Sequence, residues 1–234
     1  MVLEKDIQDW YNKRHHALER NAWRPYEAYP VFLDHLDVES DRKLLDVGCG
    51  TGHLLKAADQ RGLETYGVDI SEEGVKISRR VSPNSQISVQ KGENLQFPDR
   101  FFDYVTCVGA LEHFLDMGKG VKEMVRVGKD DALYCIVVPN FHYFFWKISK
   151  TRGTEQQGIN ENLLSLSQWR DLFVREGLSI AKIYQDSWPV KETHVFSSLN
   201  PLRVGKRMIY KLIWTLLPLK YTYQFIFVLR KSRD

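Results

Sequence analysis

The stretch LLDVGCGTGHLL, residues 44–55, sets an acid, Asp46, at the end of an apolar run and then places glycines at 48, 50 and 52 before the apolar pattern resumes. A strand that ends in a tight glycine turn and feeds a helix brings bare backbone amides and the positive end of a helix against a ligand. That arrangement points to a nucleotide-like cofactor. A dinucleotide fingerprint needs glycine at the sixth position of the turn, where this chain has His53, and no P-loop lysine follows. A second acid, Asp69 in TYGVDIS, ends the next strand-like run. A carboxylate there can accept from both hydroxyls of a ribose. The competing readings are a tight connection without a ligand for the glycine turn and a mere turn acid for Asp46 or Asp69 alone; neither explains the two acids together.

Those residues must be positioned by strands and crossover helices, and the chain alternates between the two patterns from residue 43 onward. The expected strands are 43–48, 64–69, 87–92, 102–109, 132–139, 178–185 and 223–231. The expected helices are 53–62, 71–81, a stretch around 119–128, and 165–177. Ser71, followed by Glu72 and Glu73, supplies a hydroxyl cap and two acids where a helix start favours them. Ser167 is the expected cap of the run containing Trp169, Leu172 and Phe173, and Gly177 its terminating glycine. Residues 1–42 read as helices rich in aromatic and basic side chains, and 186–220 as a Pro-flanked loop followed by an amphipathic helix. His15 and His16 are expected on a solvated helix face.

At 234 residues, with 43% hydrophobic and 27% charged residues, the chain fits one compact catalytic domain. A net charge of +3 is too slight to mark a nucleic-acid binder. Cys49, Cys107 and Cys135 lie in or beside apolar strand-like stretches without metal-ligand spacing, as buried thiols of a reducing compartment would. The N-terminal residues MVLEKDIQDW carry charges where a secretory leader has its apolar segment, and LIWTLLPL and YTYQFIFVL are too short to span a bilayer. The expected location is the cytoplasm.

DVGCGTG resembles motif I of the class I S-adenosylmethionine-dependent methyltransferases, of the small-molecule type that includes the type 11/12 and quinone-biosynthesis O-methyltransferase groups. The resemblance implies an α/β, Rossmann-like seven-stranded sheet, mostly parallel with the last strand antiparallel, and helices on both faces. It also implies that the turn Gly48, Cys49, Gly50 and Gly52 approaches the amino-acid part of S-adenosylmethionine. Asp46 then orients the amino group, directly or through water, and Asp69 with Ile70 meets the ribose. KGENLQFPDRFFDYVTCVGALEHF resembles the family's adenine loop and fourth strand. The family's usual acid there is Lys91 in this chain, which leaves Glu93, or the backbone of Gly92 and Glu93, as adenine contacts. Val108 passes beside the methionine part. Asp130-Asp131 stands where the family often has a Gly-Gly turn, and Asp tolerates that left-handed conformation. Residues 1–42 are expected to close over the cofactor, with Tyr11 and Arg24 as contacts, and 43–234 to form the methyltransferase domain with a helical insertion at about 186–220.

Methyl transfer from a sulfonium is an in-line displacement, so the protein must hold an acceptor collinear with the S–CH3 bond and remove its proton. In an open parallel sheet this happens beyond the carboxyl ends of the strands. ALEHF, after the fourth strand, resembles the LEH segment of quinone-biosynthesis enzymes, which makes His113 the first candidate for general base. The alternative is a histidine that lines the pocket or caps a helix. Glu112 suits a helix N-terminus, and Gly109 occupies the place of an acid that helps bind a metal in the quinone-type enzymes, so no metal is assigned. PNFHYFFWK after the fifth strand offers an aromatic acceptor pocket with His142 and Tyr143 as further candidates, or else a core or lid cluster. The basic amphipathic segment 204–217 is expected to pack on the sheet or act as a lid, with peripheral membrane or lipid contact as the alternative. The function implied is methylation of an O or N atom of a small, partly hydrophobic acceptor, with no nucleic-acid partner. The alternatives are an RNA or protein methyltransferase and a non-catalytic cofactor-binding subunit.

Overall fold

The computed structural model describes residues 4–18, 24–149, 153, 158–186 and 201–232. Seven strands, β1 (Lys43–Val47), β2 (Glu64–Asp69), β3 (Gln86–Val89), β4 (Phe102–Val108), β5 (Gly128–Pro139), β6 (Leu178–Gln185) and β7 (Gln224–Lys231), form one sheet. Its order is β3-β2-β1-β4-β5-β7-β6. β7 runs antiparallel to β5 and β6, and every other pairing is parallel. Strands covered on both faces read as near-continuous apolar runs, which is why LLDV and CIVVP lack alternation.

Helices α2 (Pro30–Leu36), α3 (His53–Asp59) and α4 (Glu72–Val81) cover one face through Phe32, Leu33, Leu54, Leu55 and Val75. α5 (Met117–Val127) and α7 (Leu166–Arg175) cover the other through Val121, Met124, Trp169 and Phe173. α1 (Glu4–Leu18) lies against α4, α6 (Phe144–Ser149) follows β5, and α8 (Pro201–Leu216) precedes β7. Residues 187–200 of the expected insertion lie outside the described residues. The register pairs Asp46 with Gly67 and Thr106, so the ends of β1, β2 and β4 open on the same edge of the sheet.

Two expected boundaries are corrected. Ser165, not Ser167, caps α7, because its side chain accepts from Gln168 N while the Gln168 side chain returns to the Ser165 amide. Asp130 and Asp131 form no turn; they lie inside β5, whose register shifts between Gly128 opposite Phe102 and Leu133 opposite Tyr104. The irregularity absorbs the extra residues in extended backbone, so no left-handed residue is needed. Ser71 caps α4 as expected, accepting from Gly74 N, and Gly177 follows α7 with φ 90°.

Candidate active site

A cavity of about 1120 Å³ opens beyond the carboxyl ends of β1, β2, β4 and β5 and is closed by α1. Its floor is the glycine turn, of which Gly48, Cys49, Gly50 and Thr51 line the cavity, whereas Gly52, expected to do so, packs on Ser78 behind it; the three glycines have φ of 75°, 49° and 80°. Packing dictates two of these: a Cβ at 48 would meet Ala110 Cβ at 2.4 Å, and one at 52 would meet Ser78 Oγ at 2.2 Å. At Gly50 the nearest atom is His15 Nε2 at 3.5 Å, so its backbone faces the cavity.

The two acids sit on either side of this turn. Asp69 Oδ2 accepts from Gly50 N and Oδ1 from Ser71 N, each at 2.8 Å. Each oxygen keeps an acceptor position, and the carboxylate is held in one orientation at the cavity wall. Asp46 is 3% exposed and accepts from Thr106 Oγ1 at 2.7 Å. Burial pushes its carboxyl up to about 7, against the pull of the Thr106 hydrogen bond and with a further push from Asp69. A buried acid in this state is complementary to a ligand cation. The residues present therefore fit a ligand with an ammonium group and vicinal hydroxyls.

α1 closes this end of the cavity. Gln8 Nε2 donates to Ile70 O at 3.0 Å, and Asn12 Oδ1 accepts from Ser71 Oγ at 2.8 Å. With that hydroxyl proton committed to Asn12, His15 Nδ1, 3.0 Å from Ser71 Oγ, must be the donor. Its Nε2 is then the proton-accepting nitrogen, on the side of Gly50. The expectation of a solvated His15 is thus overturned: it is 2% exposed, and burial lowers its basicity. Ile7, Tyr11 and His15 recur every fourth residue on the cavity face of α1, and this spacing was the missed signal. His16 is 83% exposed, as expected.

Ile70, Gly92 and Glu93 line the next part of the wall. A Cβ on Gly92 would meet the Phe114 ring at 2.1 Å and one on Gly120 would meet it at 2.3 Å, so the two glycines make the slot for that ring. Glu93 Oε1 accepts from Leu115 N at 2.9 Å and so ties this loop to the one after β4. Lys91 pairs with Glu4 of α1.

Val108 and Gly109 lead from β4 to a single 3-10 turn, Leu111–His113, so Glu112 does not stand at the start of an α-helix. Asn160, at φ 83°, donates from Nδ2 to His113 O at 3.1 Å and to Phe114 O at 3.0 Å. His113 Nδ1 lies 3.2 Å from the Asn160 carbonyl oxygen. A carbonyl only accepts, so Nδ1 carries the proton and the imidazole's lone pair resides on Nε2, 3.8 Å from Glu112 Oε1. Glu112 is 4% exposed and its Oε2 has no hydrogen-bond partner among the described residues. Burial pushes this carboxyl up to about 8, with Glu161 adding to the rise and Arg24 opposing it. Near neutrality it is mainly the uncharged acid.

Tyr11 and Arg24 both reach the cavity. The Tyr11 ring lies 5.8 Å from His113, and burial holds its hydroxyl protonated. Arg24 Nη1 donates to Asp186 Oδ2 at 2.6 Å and Nη2 to Gln224 Oε1, so the guanidinium is fixed from two sides. Tyr29, whose hydroxyl burial pushes up to about 12, and Tyr223 complete this wall. Sequence reasoning missed Asp186, Glu161, Tyr29 and Tyr223 because they come from separate segments with no local motif.

His142 and Tyr143 fall outside the cavity. Asn140 Nδ2 donates to Lys220 O at 2.9 Å and Thr222 O at 2.7 Å, while its Oδ1 accepts from His142 N. This clamp turns the chain away after β5 and leaves His142 exposed. The Tyr143 ring packs 5.1 Å from Tyr223 and 5.4 Å from Trp146, the arrangement of a structural aromatic cluster.

Comparison with known proteins agrees with this geometry. Residues 45–136 match a family model described as methyltransferase domain. The chain is 29% identical to the uncharacterized methyltransferase YcgJ of Bacillus subtilis (strain 168), over 70% of this chain and 68% of that protein. It is 31% identical to a ubiquinone biosynthesis O-methyltransferase of Hahella chejuensis, over 46% of this chain and 48% of that protein, so it spans about half of that relative. Its fold is similar to the Haemonchus contortus phosphoethanolamine N-methyltransferase 2 complex with phosphomonomethylethanolamine and S-adenosylhomocysteine. That match has a TM-score of 0.71 and 17% identity, covering 100% of this chain and 61% of that one.

Proposed function

Because this chain carries a class I S-adenosylmethionine-dependent methyltransferase domain, we propose that it methylates an O or N atom of a small, partly hydrophobic acceptor held beside His113. The observation that carries the reading is the fixed tautomer of His113. Its proton is held on Nδ1 by the Asn160 carbonyl, so Nε2 is the basic nitrogen, in the same cavity as Asp46 and Asp69. When bound, S-adenosylmethionine supplies a sulfonium-linked methyl group for displacement.

Asp46, the backbone of 48–50 and Val108 hold the amino-acid part of the cofactor. Asp69 and Ile70 hold the ribose, and Gly92 and Glu93 meet the base. Tyr11 closes over this assembly, and Arg24 supplies positive charge from the Asp186 and Gln224 clamp. His113 Nε2 takes the proton that an acceptor hydroxyl or amine loses as it is methylated. Glu112, as the neutral acid, donates a hydrogen bond to a polar atom of the acceptor, which gives its Oε2 the partner it lacks. Ile7, Trp10, Phe114 and Tyr223 make the remaining walls suited to an apolar or aromatic body. The O-methyltransferase name of the Hahella chejuensis relative supports an oxygen acceptor among the two atoms.

The test is formation of S-adenosylhomocysteine by the purified chain across phenols, catechols, carboxylates and amines bearing apolar groups. Product with at least one such acceptor, strongly reduced in His113→Gln, is the expected result. Turnover that survives His113→Gln would overturn the assignment of the base.

A further inference from the structure

We propose that the outer face of α8 docks on an anionic lipid bilayer. α8 is anchored to the domain by Trp214, which is 2% exposed and lies 5.9 Å from Tyr143 and 6.5 Å from Phe145. Gln185 Nε2 donates to its carbonyl at 3.1 Å. The opposite side carries Met208, Ile209, Leu212, Ile213 and Leu216, exposed by 54%, 60%, 60%, 43% and 71%. At 3.6 residues per turn these positions fall on one arc about 140° wide, wide enough for an apolar face to be buried along its length. The other large apolar side chains exposed among the described residues, Val89 of β3, Leu115 of the loop before α5 and Val174 of α7, come from three separate stretches of the chain. The patch on α8 is therefore a feature of this helix and not of the surface in general.

Charge decides what covers it. Residues 201–223 contain Arg203, Lys206, Arg207, Lys211 and Lys220 and no Asp or Glu. Those five cations exceed the whole chain's net charge of +3, so the rest of the chain is net acidic. A second copy placed on this face by a two-fold axis would bring like charges together. An anionic membrane surface instead meets the apolar arc together with the exposed Lys211 that flanks it at 100° per residue, and is attracted by the net positive charge of the segment. No helix among the described residues is long and apolar enough to cross a membrane, so α8 would lie along the surface. Its anchor also reaches the active site: Tyr143, beside Trp214, packs 5.1 Å from Tyr223, which lines the cavity. The docking face stands on its own observations and does not depend on the acceptor chemistry proposed above.

The test is co-sedimentation of the full chain with phosphatidylcholine vesicles, with and without about one third phosphatidylglycerol, at low and high salt. The expected result is binding to the anionic vesicles, weakened by salt, and at least tenfold weaker binding by Ile209→Glu/Leu212→Glu. Lys211→Gln should lower the partition roughly fivefold, the effect of one cation at such a surface. Circular dichroism and S-adenosylmethionine affinity of each variant should match the wild type, since all three side chains are exposed. No binding to anionic vesicles overturns the proposal, as does undiminished binding by the double variant. A concentration-dependent dimer that the double variant abolishes, without vesicle binding, assigns the face to a second copy and also overturns it.

Discussion

The two ends of the cavity are built on opposite plans. The donor end is local: Asp46, the glycine turn and Asp69 lie within two successive strand ends, and their geometry is set by backbone amides and by glycines that admit Ala110 and Ser78. The acceptor end is assembled from distant segments. His113 depends on the Asn160 carbonyl, and Arg24 depends on Asp186 and Gln224, across sequence separations of 47, 162 and 200. A cofactor common to many enzymes can be held by a compact motif, whereas a specific acceptor is read by side chains that only the finished fold brings together.

The sharpest way to separate the two ends is to disable the acceptor end alone. His113→Gln should lower kcat by about 10²–10⁴, the usual contribution of a general base, in a steady-state assay of S-adenosylhomocysteine formation. At the donor end, Asp69→Asn keeps the shape of the side chain but removes its charge. Cofactor affinity by calorimetry should fall roughly 10–150-fold, the worth of hydrogen bonds to a charged group.

The pH dependence of binding isolates Asp46. Its carboxyl is raised to about 7, so in the free protein it is protonated below that value and must release the proton before it can pair with the cofactor's ammonium group. Affinity should therefore rise about tenfold per pH unit as pH increases toward 7 and level off above it. Asp46→Asn should weaken binding at pH 8 and flatten the profile. The smallest effect is expected at His142, which is exposed and outside the cavity. His142→Ala should change kcat and cofactor affinity by less than about twofold, within the range of ordinary surface substitutions; a larger loss would bring PNFHYFFWK back into the site.

The same contrast explains what the residues revealed in advance. The strand ends and the glycine turn were legible because parallel strands buried on both faces have a simple apolar signature and because φ near +75° at Gly48 narrows the choice of residue. ALEHF was legible as a site, but not the tautomer of its imidazole, since Asn160 lies in a loop with no pattern pointing back to it. PNFHYFFWK misled because aromatic density looks alike in a pocket wall and in a supporting cluster. Asn140 decides between them by clamping Lys220 and Thr222, a contact that pairs β5 with the approach to β7. His15 was misread because charged neighbours mask the four-residue spacing of Ile7, Tyr11 and His15.

Calorimetric titration of S-adenosylmethionine into the wild type, Asp69→Asn and His113→Gln tests the division between the two ends most directly. The wild type and His113→Gln should bind one molecule per chain with affinities within about twofold, the scale of a substitution that touches no cofactor contact, while Asp69→Asn binds far more weakly. No binding by the wild type, or a loss in His113→Gln as large as that in Asp69→Asn, would contradict it.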